Sequence, residues 1–194
     1  MSIVLRLASL RDDSALAAIY APVVASTAIS FELVAPGAAD MRARLAAQPA
    51  TKPWIVAELD GAVGGYAYAS DFRGRPAYRF GVEVTVYVAE AARRRGVGLA
   101  LYRSLLRLLA AQGYRRAFAG IALPNDASIA LHRAVGFTEA GVVHAAGFKF
   151  DRWHDVAFFE CALGALDVPP RDPRALDELE PGEVRAALAL KQTR

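Results

Sequence analysis

The sequence predicts a mixed α/β fold, because strand patterns and helical patterns alternate along most of its length. The clearest strand is RFGVEVTVYV (residues 79–88), in which valines alternate with Glu83, Thr85 and Tyr87. The clearest helix covers residues 98–111, where apolar side chains recur at helical spacing. At 194 residues the chain is long enough to bury a full hydrophobic core as one domain.

The N-terminal elements follow from short local patterns. Residues 2–9 alternate apolar side chains, which predicts a strand. Asp12 and Asp13 are N-cap candidates for an apolar-periodic helix that continues to Val23. Residues 26–37 then predict a loop, because they end in a Pro-Gly pair.

A second helix and a hairpin precede the clearest strand. Residues 38–48 predict a helix that ends before Pro49. Residues 53–72 contain two β-rich runs, and the Asp60-Gly61 pair between them predicts a hairpin turn.

After the long helix, the pattern continues with strands and one short helix. Residues 115–123 predict a buried strand, and residues 124–137 predict a helix that Gly136 terminates. Residues 141–163 predict a closing pair of strands.

The composition changes near the C-terminus. Residues 167–194 contain four prolines and no aromatic side chain. We therefore divide the chain into a domain of residues 1–163 and a Pro-rich, helical extension of residues 164–194. In the extension we expect one or two short helices with mobile joints, and nothing in its sequence indicates a role.

Composition and charge exclude several classes of protein. Hydrophobic residues make up 55% and charged residues 22% of the chain, which excludes a disordered or fibrous protein. No apolar run approaches the ~20 residues of a membrane span, and Arg6 interrupts the N-terminal apolar stretch, so we expect no secretory signal. A single cysteine, Cys161, fits a cytoplasmic location. The net charge of +3 is a weak excess for a nucleic-acid binder, although the pI near 9.2 leaves that class open.

Residues 93–98, RRRGVG, lie between a strand and a helix and are candidates for an anion-binding loop. Gly96 and Gly98 would let backbone N–H groups approach a ligand, and a helix N-terminus favours an anion. The loop lacks the Lys-Ser/Thr pair of a P-loop and is too short for a dinucleotide fingerprint. It suits a pyrophosphate, but a plain turn beside solvated arginines, or a nucleic-acid patch, explains the same residues.

Glu83 is a candidate general base, because it is an ionisable group inside a strongly apolar strand. Tyr87 lies four residues along on the same face, so we expect this face to point into a cleft rather than a core. A solvated glutamate on a half-exposed sheet is the simpler explanation.

Asn125, Ser128 and His132 recur at spacings of three and four, so they share one face of the predicted helix. Asn125 is a natural N-cap, and His132 titrates in a range suited to proton transfer. A structural role for the histidine explains the pattern equally well. The histidines and Cys161 show no metal-ligand spacing, so we expect no metal.

The segment DFRGRPAYRF (residues 71–80) gathers arginines and aromatic side chains in one connection between strands. Arginine forks suit a carboxylate or a phosphorus oxyanion, and aromatic rings could line an apolar wall. An exposed loop of no special function is the alternative.

Taken in order, these segments resemble the GNAT acetyltransferase superfamily. VEVTVYV, RRRGVGLALY and LPNDASIALHRAVGF match its acetyl-CoA strand, its pyrophosphate loop and the helix beside the pantetheine arm. AYRFGVEVTVYV and AAGFKFDRWHDVAFFE narrow the resemblance to the phosphinothricin / methionine sulfoximine N-acetyltransferase family, over roughly residues 2–163. The resemblance implies the GNAT fold: a mixed central sheet of about six to seven strands flanked by helices, with a V-shaped splay between two central strands.

The resemblance also implies roles for individual residues. Glu83 would be the catalytic carboxylate, and His132 stands where many wider GNAT members carry a tyrosine proton donor. The backbone of Val86, Tyr87 and Val88 would pair with the pantetheine amides. The other residues implied to bind acetyl-CoA are Arg94, Arg95, Gly96, Val97, Gly98, Leu99, Asn125 and Ser128; those implied to line the substrate pocket are Phe31, Arg73, Arg75 and Tyr78. Some relatives have lysine in place of Arg73, a difference that keeps the charge and bears on substrate preference.

The implied activity is transfer of the acetyl group of acetyl-CoA to the amine of a small amino-acid-like substrate, such as phosphinothricin or methionine sulfoximine. The resemblance further implies a homodimer. From the residues themselves we expect no metal and no nucleic-acid or membrane partner. Two alternatives remain open at this point. One is a GNAT enzyme for a different amine or a protein N-terminus, and the other is a non-catalytic nucleic-acid or ligand-binding module.

Overall fold

A computed structural model describes residues 2–189, and its centre is one mixed sheet of seven strands. The strands are β1 (Ile3–Leu7), β2 (Trp54–Leu59), β3 (Ala62–Asp71), β4 (Gly81–Val88), β5 (Arg116–Ala122), β6 (Thr138–Lys149) and β7 (Arg152–Ala162). They lie in the order β1-β2-β3-β4-β5-β7-β6. Neighbours are antiparallel except for β4 and β5, which run parallel at the centre.

Helices cover both faces of the sheet. They are α1 (Asp13–Ser26), α2 (Ala38–Ala47), α3 (Val97–Gln112), α4 (Asp126–Ala134) and α5 (Pro181–Leu188). One hydrophobic core lies between the sheet and α1 with α2, and a larger one lies between the sheet and α3 with α5. Alternate residues of β2 supply the two cores, because successive strand side chains point to opposite faces: Ile55 enters one and Val56 the other. No helix within residues 2–189 is long and apolar enough to cross a membrane.

The two central strands separate along their length. β4 and β5 are paired at Gly81, Val82 and Glu83, whose partners are Arg116, Ala117 and Phe118. Beyond Glu83 the register between them ends in the part of the chain that the structure describes, while β4 stays paired with β3 as far as Val88. The strands therefore open into a V, which confirms the predicted fold class: a mixed sheet, flanked by helices, with a splay at its centre.

Local patterns placed most elements correctly. The Asp60-Gly61 pair forms the hairpin turn, with φ of 52° and 85° at the two residues, as a turn that matches the twist of the strands requires. The beginning of α1 differs from the expectation. Asp12 precedes α1 but does not cap it, because its carboxylate binds the Arg6 guanidinium at 2.7 and 2.8 Å and accepts the Ser9 N–H at 2.7 Å.

The face of β4 that carries Glu83, Thr85 and Tyr87 borders both a cavity and a hydrophobic core. Tyr87 packs against Tyr20 of α1 and Tyr66 of β3, with ring centroids 4.6 and 5.5 Å apart. The expectation that this face would point into a cleft rather than a core therefore holds in part. Thr85 and Tyr87 line the cavity, but the Tyr87 ring also packs against the core that α1 forms with the sheet.

The C-terminal segment lies along α3. Leu179, which directly follows a one-turn 3-10 helix at Leu176–Glu178, and Ala187 of α5 belong to the larger core. Ser104 of α3 donates a hydrogen bond to the Ala187 carbonyl at 2.9 Å. A domain boundary after residue 163 stays a proposal based on the change in composition; the described part of the extension shares the core of the domain.

Candidate active site

The splay between β4 and β5 encloses a cavity of about 60 Å³. Its walls come from β4, from α3, from the end of β5, from α4 and from the loop after α1. The lining residues are Ile29, Val84, Thr85, Val86, Tyr87, Tyr102, Gly120, Ile121, Ala122, Asn125, Ser128 and His132. The structure thus brings together several predicted residues that lie more than 40 positions apart, because parallel strands place their carboxyl ends at the same edge of a sheet.

Glu83 lies at the apex of the V. It is the last residue of β4 that pairs with β5, and its Oε1 lies 3.8 Å from the position that a Cβ on Gly120 would occupy. Burial raises the pKa of the Glu83 carboxyl, and the positive charge of Arg73 partly offsets this. A partly buried carboxyl with a raised pKa is a stronger base than a solvated one, which suits it to proton transfer.

His132 is buried behind the cavity and held at both ring nitrogens. Nδ1 lies 2.7 Å from the Ser128 carbonyl oxygen, which can only accept, so Nδ1 carries the proton. Nε2 lies 2.9 Å from the Tyr102 hydroxyl and therefore accepts a hydrogen bond from it when the ring is neutral. Burial lowers the pKa of His132, and the hydrogen bond to Ser128 opposes this, so the neutral ring is favoured.

Tyr102 is a residue of this site that the sequence did not reveal. Its hydroxyl lies between His132 and the Val84 carbonyl oxygen, which is 3.5 Å away. In the sequence Tyr102 belongs to the apolar stripe of α3, and the same spacing is typical of a core aromatic residue. Ile29 and Gly120 also line the cavity and were not predicted, since only the folded chain brings each of them to it.

The predicted pyrophosphate loop lies at the open end of the V. Gly96 has a φ of 80°, a left-handed conformation that favours glycine, and it is the N-cap residue of α3. Gly98 is close to α4, since an added Cβ would lie 3.1 Å from the Leu131 side chain. The first intrahelical bond joins the Ala100 N–H to the Gly96 carbonyl, so the preceding N–H groups of the turn are not bonded within the helix. Arg94 and Arg95 are exposed at the rim of this turn.

Asn125 is the N-cap of α4, as predicted from the sequence. Its side-chain oxygen accepts the Ser128 N–H at 3.2 Å. Asn125 and Ser128 both line the cavity, so Asn125 caps α4 and also faces the space where a ligand could bind.

The predicted substrate residues Arg73, Arg75 and Tyr78 lie on the connection between β3 and β4, outside the lining of the cavity. Phe72 anchors this connection by stacking on Phe118, with ring centroids 3.8 Å apart. Arg73 is near enough to affect the Glu83 carboxyl and also lies over the Phe72 ring at 5.1 Å. Arg79 of the same segment instead forms an ion pair with Asp172 of the C-terminal extension.

Phe31, the remaining predicted substrate residue, lies on the loop between α1 and α2. It packs against Gly147 of β6 and near the His154 ring, whose centroid is 6.1 Å away. Ile29 of the same loop lines the first cavity and an adjoining one of about 390 Å³, which Ala122 also lines. The loop therefore forms one wall of the cleft on the side of α1.

Within residues 2–189, no group of three or more His, Cys, Asp or Glu side chains is placed to hold a metal ion. The histidines are engaged elsewhere: His154 Nε2 lies 2.9 Å from the Lys149 carbonyl oxygen, and His144 Nδ1 lies 2.8 Å from Asp155.

Comparison with known proteins identifies the family. The acetyltransferase (GNAT) domain family matches residues 5–158. The phosphinothricin N-acetyltransferase of Alcaligenes faecalis is 44% identical over 161 residues, which are 81% of this chain and 82% of that protein. The L-methionine sulfoximine/L-methionine sulfone acetyltransferase of Salmonella typhimurium is 37% identical over 117 residues, 60% of this chain and 68% of that protein.

A solved structure agrees with this assignment. The crystal structure of a GNAT superfamily phosphinothricin acetyltransferase from Sinorhizobium meliloti, in complex with AcCoA, matches with a TM-score of 0.84 and 39% sequence identity. The match covers 92% of this chain and 98% of that one. The resemblance seen in the sequence is confirmed: the chain belongs to the GNAT acetyltransferase family.

Proposed function

We propose that this protein transfers the acetyl group of acetyl-CoA to the amine of phosphinothricin, methionine sulfoximine or a related amino-acid-like compound. The observation that carries the proposal is the Glu83 carboxylate, half-buried at the apex of the V beside Gly120. Burial and the charge of Arg73 are the influences on its pKa, and no hydrogen bond from the described residues is among them. The carboxylate is therefore free to take a proton from a substrate.

The open edge of β4 and the turn at Gly96 fit acetyl-CoA. Beyond Glu83, β4 has no partner strand on the β5 side within the described chain, so the backbone of Val86, Tyr87 and Val88 can pair with the pantetheine amides as an added strand would. The unbonded N–H groups at the beginning of α3 then face the pyrophosphate, and the exposed arginines form a positive rim.

The chemistry requires one proton to leave the substrate before the acetyl group moves. An amino-acid amine carries a proton at neutral pH, and Glu83 accepts it, directly or through a water molecule. The neutral amine attacks the carbonyl carbon of the thioester, and the C–N bond forms. As the C–S bond breaks, the nitrogen loses its second proton and the coenzyme A sulfur takes up a proton, so the products are the amide and the thiol. Backbone N–H groups at the splayed end of β4 polarise the thioester carbonyl.

His132 assists proton movement through Tyr102. The neutral ring accepts the Tyr102 hydrogen at Nε2, so a proton that arrives at the hydroxyl from the cavity can be passed to the ring. On the substrate side, the charge of Arg73 acts on the Glu83 carboxyl, and Arg75 and Tyr78 lie on the same connection between β3 and β4. The guanidinium groups of Arg73 and Arg75 suit the carboxylate or phosphinate of the compound.

Two further statements belong to the same proposal. We infer a homodimer, supported by the exposed aromatic pair Phe148 and Trp153 on β6 and β7, whose ring centroids are 5.3 Å apart. We also place the enzyme in the cytoplasm, where a single unpaired cysteine is stable.

A thiol-release assay with acetyl-CoA tests the proposed reaction. The panel contains amino acids, phosphinothricin, methionine sulfoximine and methionine sulfone, together with a peptide bearing a free N-terminal alanine. We expect turnover on the phosphinothricin or sulfoximine compounds. Turnover on the peptide alone would move the assignment to a protein N-terminus, and no turnover on any amine would reject the proposal.

Glu83→Gln tests the role of the carboxylate. Loss of a general base should lower kcat about 10²–10⁴-fold, while the Kd for acetyl-CoA stays within about twofold. Glu139→Gln is the matched control, because Glu139 lies exposed on β6 and should leave kcat unchanged. An unchanged kcat in Glu83→Gln would show that Glu83 is not the base.

A further inference from the structure

Lys149 is a buried ammonium group outside the cavity that the proposed reaction does not use. It is the last residue of β6 and is 5% exposed. Its Nζ donates to the Val24 carbonyl oxygen at 2.6 Å and to the Ser30 carbonyl oxygen at 2.8 Å. Val24 is in the last turn of α1, where carbonyl groups have no partner within the helix.

Burial of the Lys149 charge is unfavourable in free energy. The negative charge that acts on Lys149 is that of Glu32, whose carboxylate already accepts two hydrogen bonds from Arg44, of 2.8 and 2.9 Å. Within residues 2–189, no carboxylate forms an ion pair with Lys149. Burial of an ammonium group without a counter-ion costs free energy, and charge-assisted hydrogen bonds to the two carbonyl oxygens offset part of that cost. Movement of either carbonyl away from Nζ would lose this compensation, so the two contacts favour one position of the loop.

The contacts of Lys149 fix the loop that forms one wall of the cleft. Val24 and Ser30 stand on either side of a short segment that includes Ile29, which lines both cavities. Ser30 is fixed a second time, since its Oγ lies 2.6 Å from the Tyr20 hydroxyl. The loop is thus tied to α1 at one side and to the end of β6 at the other.

Gly147 forms the second part of the same seat. It lies two residues before Lys149 on β6, and a Cβ added there would approach three atoms of the Phe31 ring more closely than 3.0 Å. Phe31 can therefore lie flat on the strand because position 147 has no side chain. His154 on the neighbouring strand supports this end of β6 through the Lys149 carbonyl oxygen, at 2.9 Å.

We propose that Lys149 and Gly147 form a seat on β6 that positions Ile29 and Phe31 for binding of the amine substrate. Lys149 is a positioning residue here, since it acts through the loop. The inference rests on the proposed function only in the identity of the bound amine. Acetyl-CoA is expected to contact β4, α3 and α4 instead, so loss of the seat should affect the two substrates unequally.

Lys149→Met tests the seat by removing the charge and both hydrogen bonds. We expect the KM for the amine to rise at least tenfold, while the Kd for acetyl-CoA changes less than about twofold. Lys149→Arg keeps donors at the site and should recover part of the loss. Ser104→Ala is the control, because it removes one buried hydrogen bond on the opposite side of the sheet and should change neither constant.

Hydrogen exchange measures the loop itself, without reference to catalysis. In Lys149→Met, amides of residues 25–32 should exchange at least tenfold faster than in Ser104→Ala. If the wild-type chain acetylates no amine, the proposed function fails, and this measurement alone decides whether the seat holds the loop. Unchanged exchange in a folded Lys149→Met protein would overturn the inference.

Gly147→Ala provides an independent test if Lys149→Met does not fold. The added methyl group displaces Phe31 while Lys149 stays in place, so the same selective rise in the KM for the amine is expected. Gly182→Ala is the matched control, since nothing lies within 4 Å of the added Cβ. An unchanged KM for the amine, or an equal loss of affinity for acetyl-CoA, would contradict the seat.

Discussion

Replacement of Leu179 by alanine should destabilise the whole domain, although this residue lies in the C-terminal extension. Leu179 is 6% exposed and belongs to the core that α3 forms with the sheet. The segment around it is also tied to α3 by hydrogen bonds. The Arg174 N–H donates to the Gln112 carbonyl at 2.7 Å, and the Arg174 guanidinium donates to the Ala111 carbonyl at 2.7 Å.

The magnitude follows from the burial. A buried Leu→Ala substitution costs about 2–5 kcal/mol, from the lost transfer free energy and the cavity that remains. A surface contact in a separate appendage would cost much less, within about 0.5 kcal/mol. Because each kcal/mol shifts the Tm of a domain of this size by roughly 2–4 °C, a loss of about 3 kcal/mol predicts a fall in Tm of about 6–12 °C.

Thermal unfolding followed by calorimetry or circular dichroism measures this directly. Leu166→Ala is the matched control, because Leu166 is in the same extension but is 66% exposed. Its Tm should stay within about 2 °C of the wild type. Equal Tm values for the wild type and Leu179→Ala, or two separate unfolding transitions, would refute the packing of the extension on the domain core.

Two further predictions concern the site. Burial raises the pKa of Glu83 in the folded state, so the folded protein still holds this proton at pH values where the unfolded chain has released it. The contribution of Glu83 to the stability of the fold therefore falls as the pH rises through that interval. Glu83→Gln removes this loss, and the Tm difference between Glu83→Gln and the wild type should therefore grow from pH 4 to pH 7; a constant difference would contradict the raised pKa. Gly96→Ala adds a methyl group that meets no other atom, but at a φ of 80° the alanine backbone is strained by about 1–2 kcal/mol. We expect this substitution to weaken acetyl-CoA binding. Calorimetric titration measures the effect, with Gly182→Ala as the control. Unaltered affinity would remove the Gly96 turn from the pyrophosphate site.

The local geometry of the segments expected to bind acetyl-CoA could be predicted from the sequence, whereas that of the segments expected to bind the amine could not. The loop at Gly96, the strand with Glu83 and the cap at Asn125 each occupy a few consecutive residues, so their local geometry is encoded where they stand. The substrate side is assembled from separate connections, and the sequence contained no signal that joined Phe31 to β6. Whether these residues bind their expected ligands stays a prediction.

The sequence by itself determined the order and type of the elements, the Asp60-Gly61 turn and the family, because strand alternation, helical spacing and turn chemistry are local properties. The tertiary structure decided which side chains meet. Tyr102 and His132 are 30 residues apart, and Lys149 reaches a carbonyl 125 positions away. Such contacts depend on how the sheet brings distant strands together, and no short-range pattern records them. The composition of the C-terminal extension predicts mobile joints, yet Leu179 of this extension belongs to the core. That contact, too, depends on the folded chain and not on a local pattern.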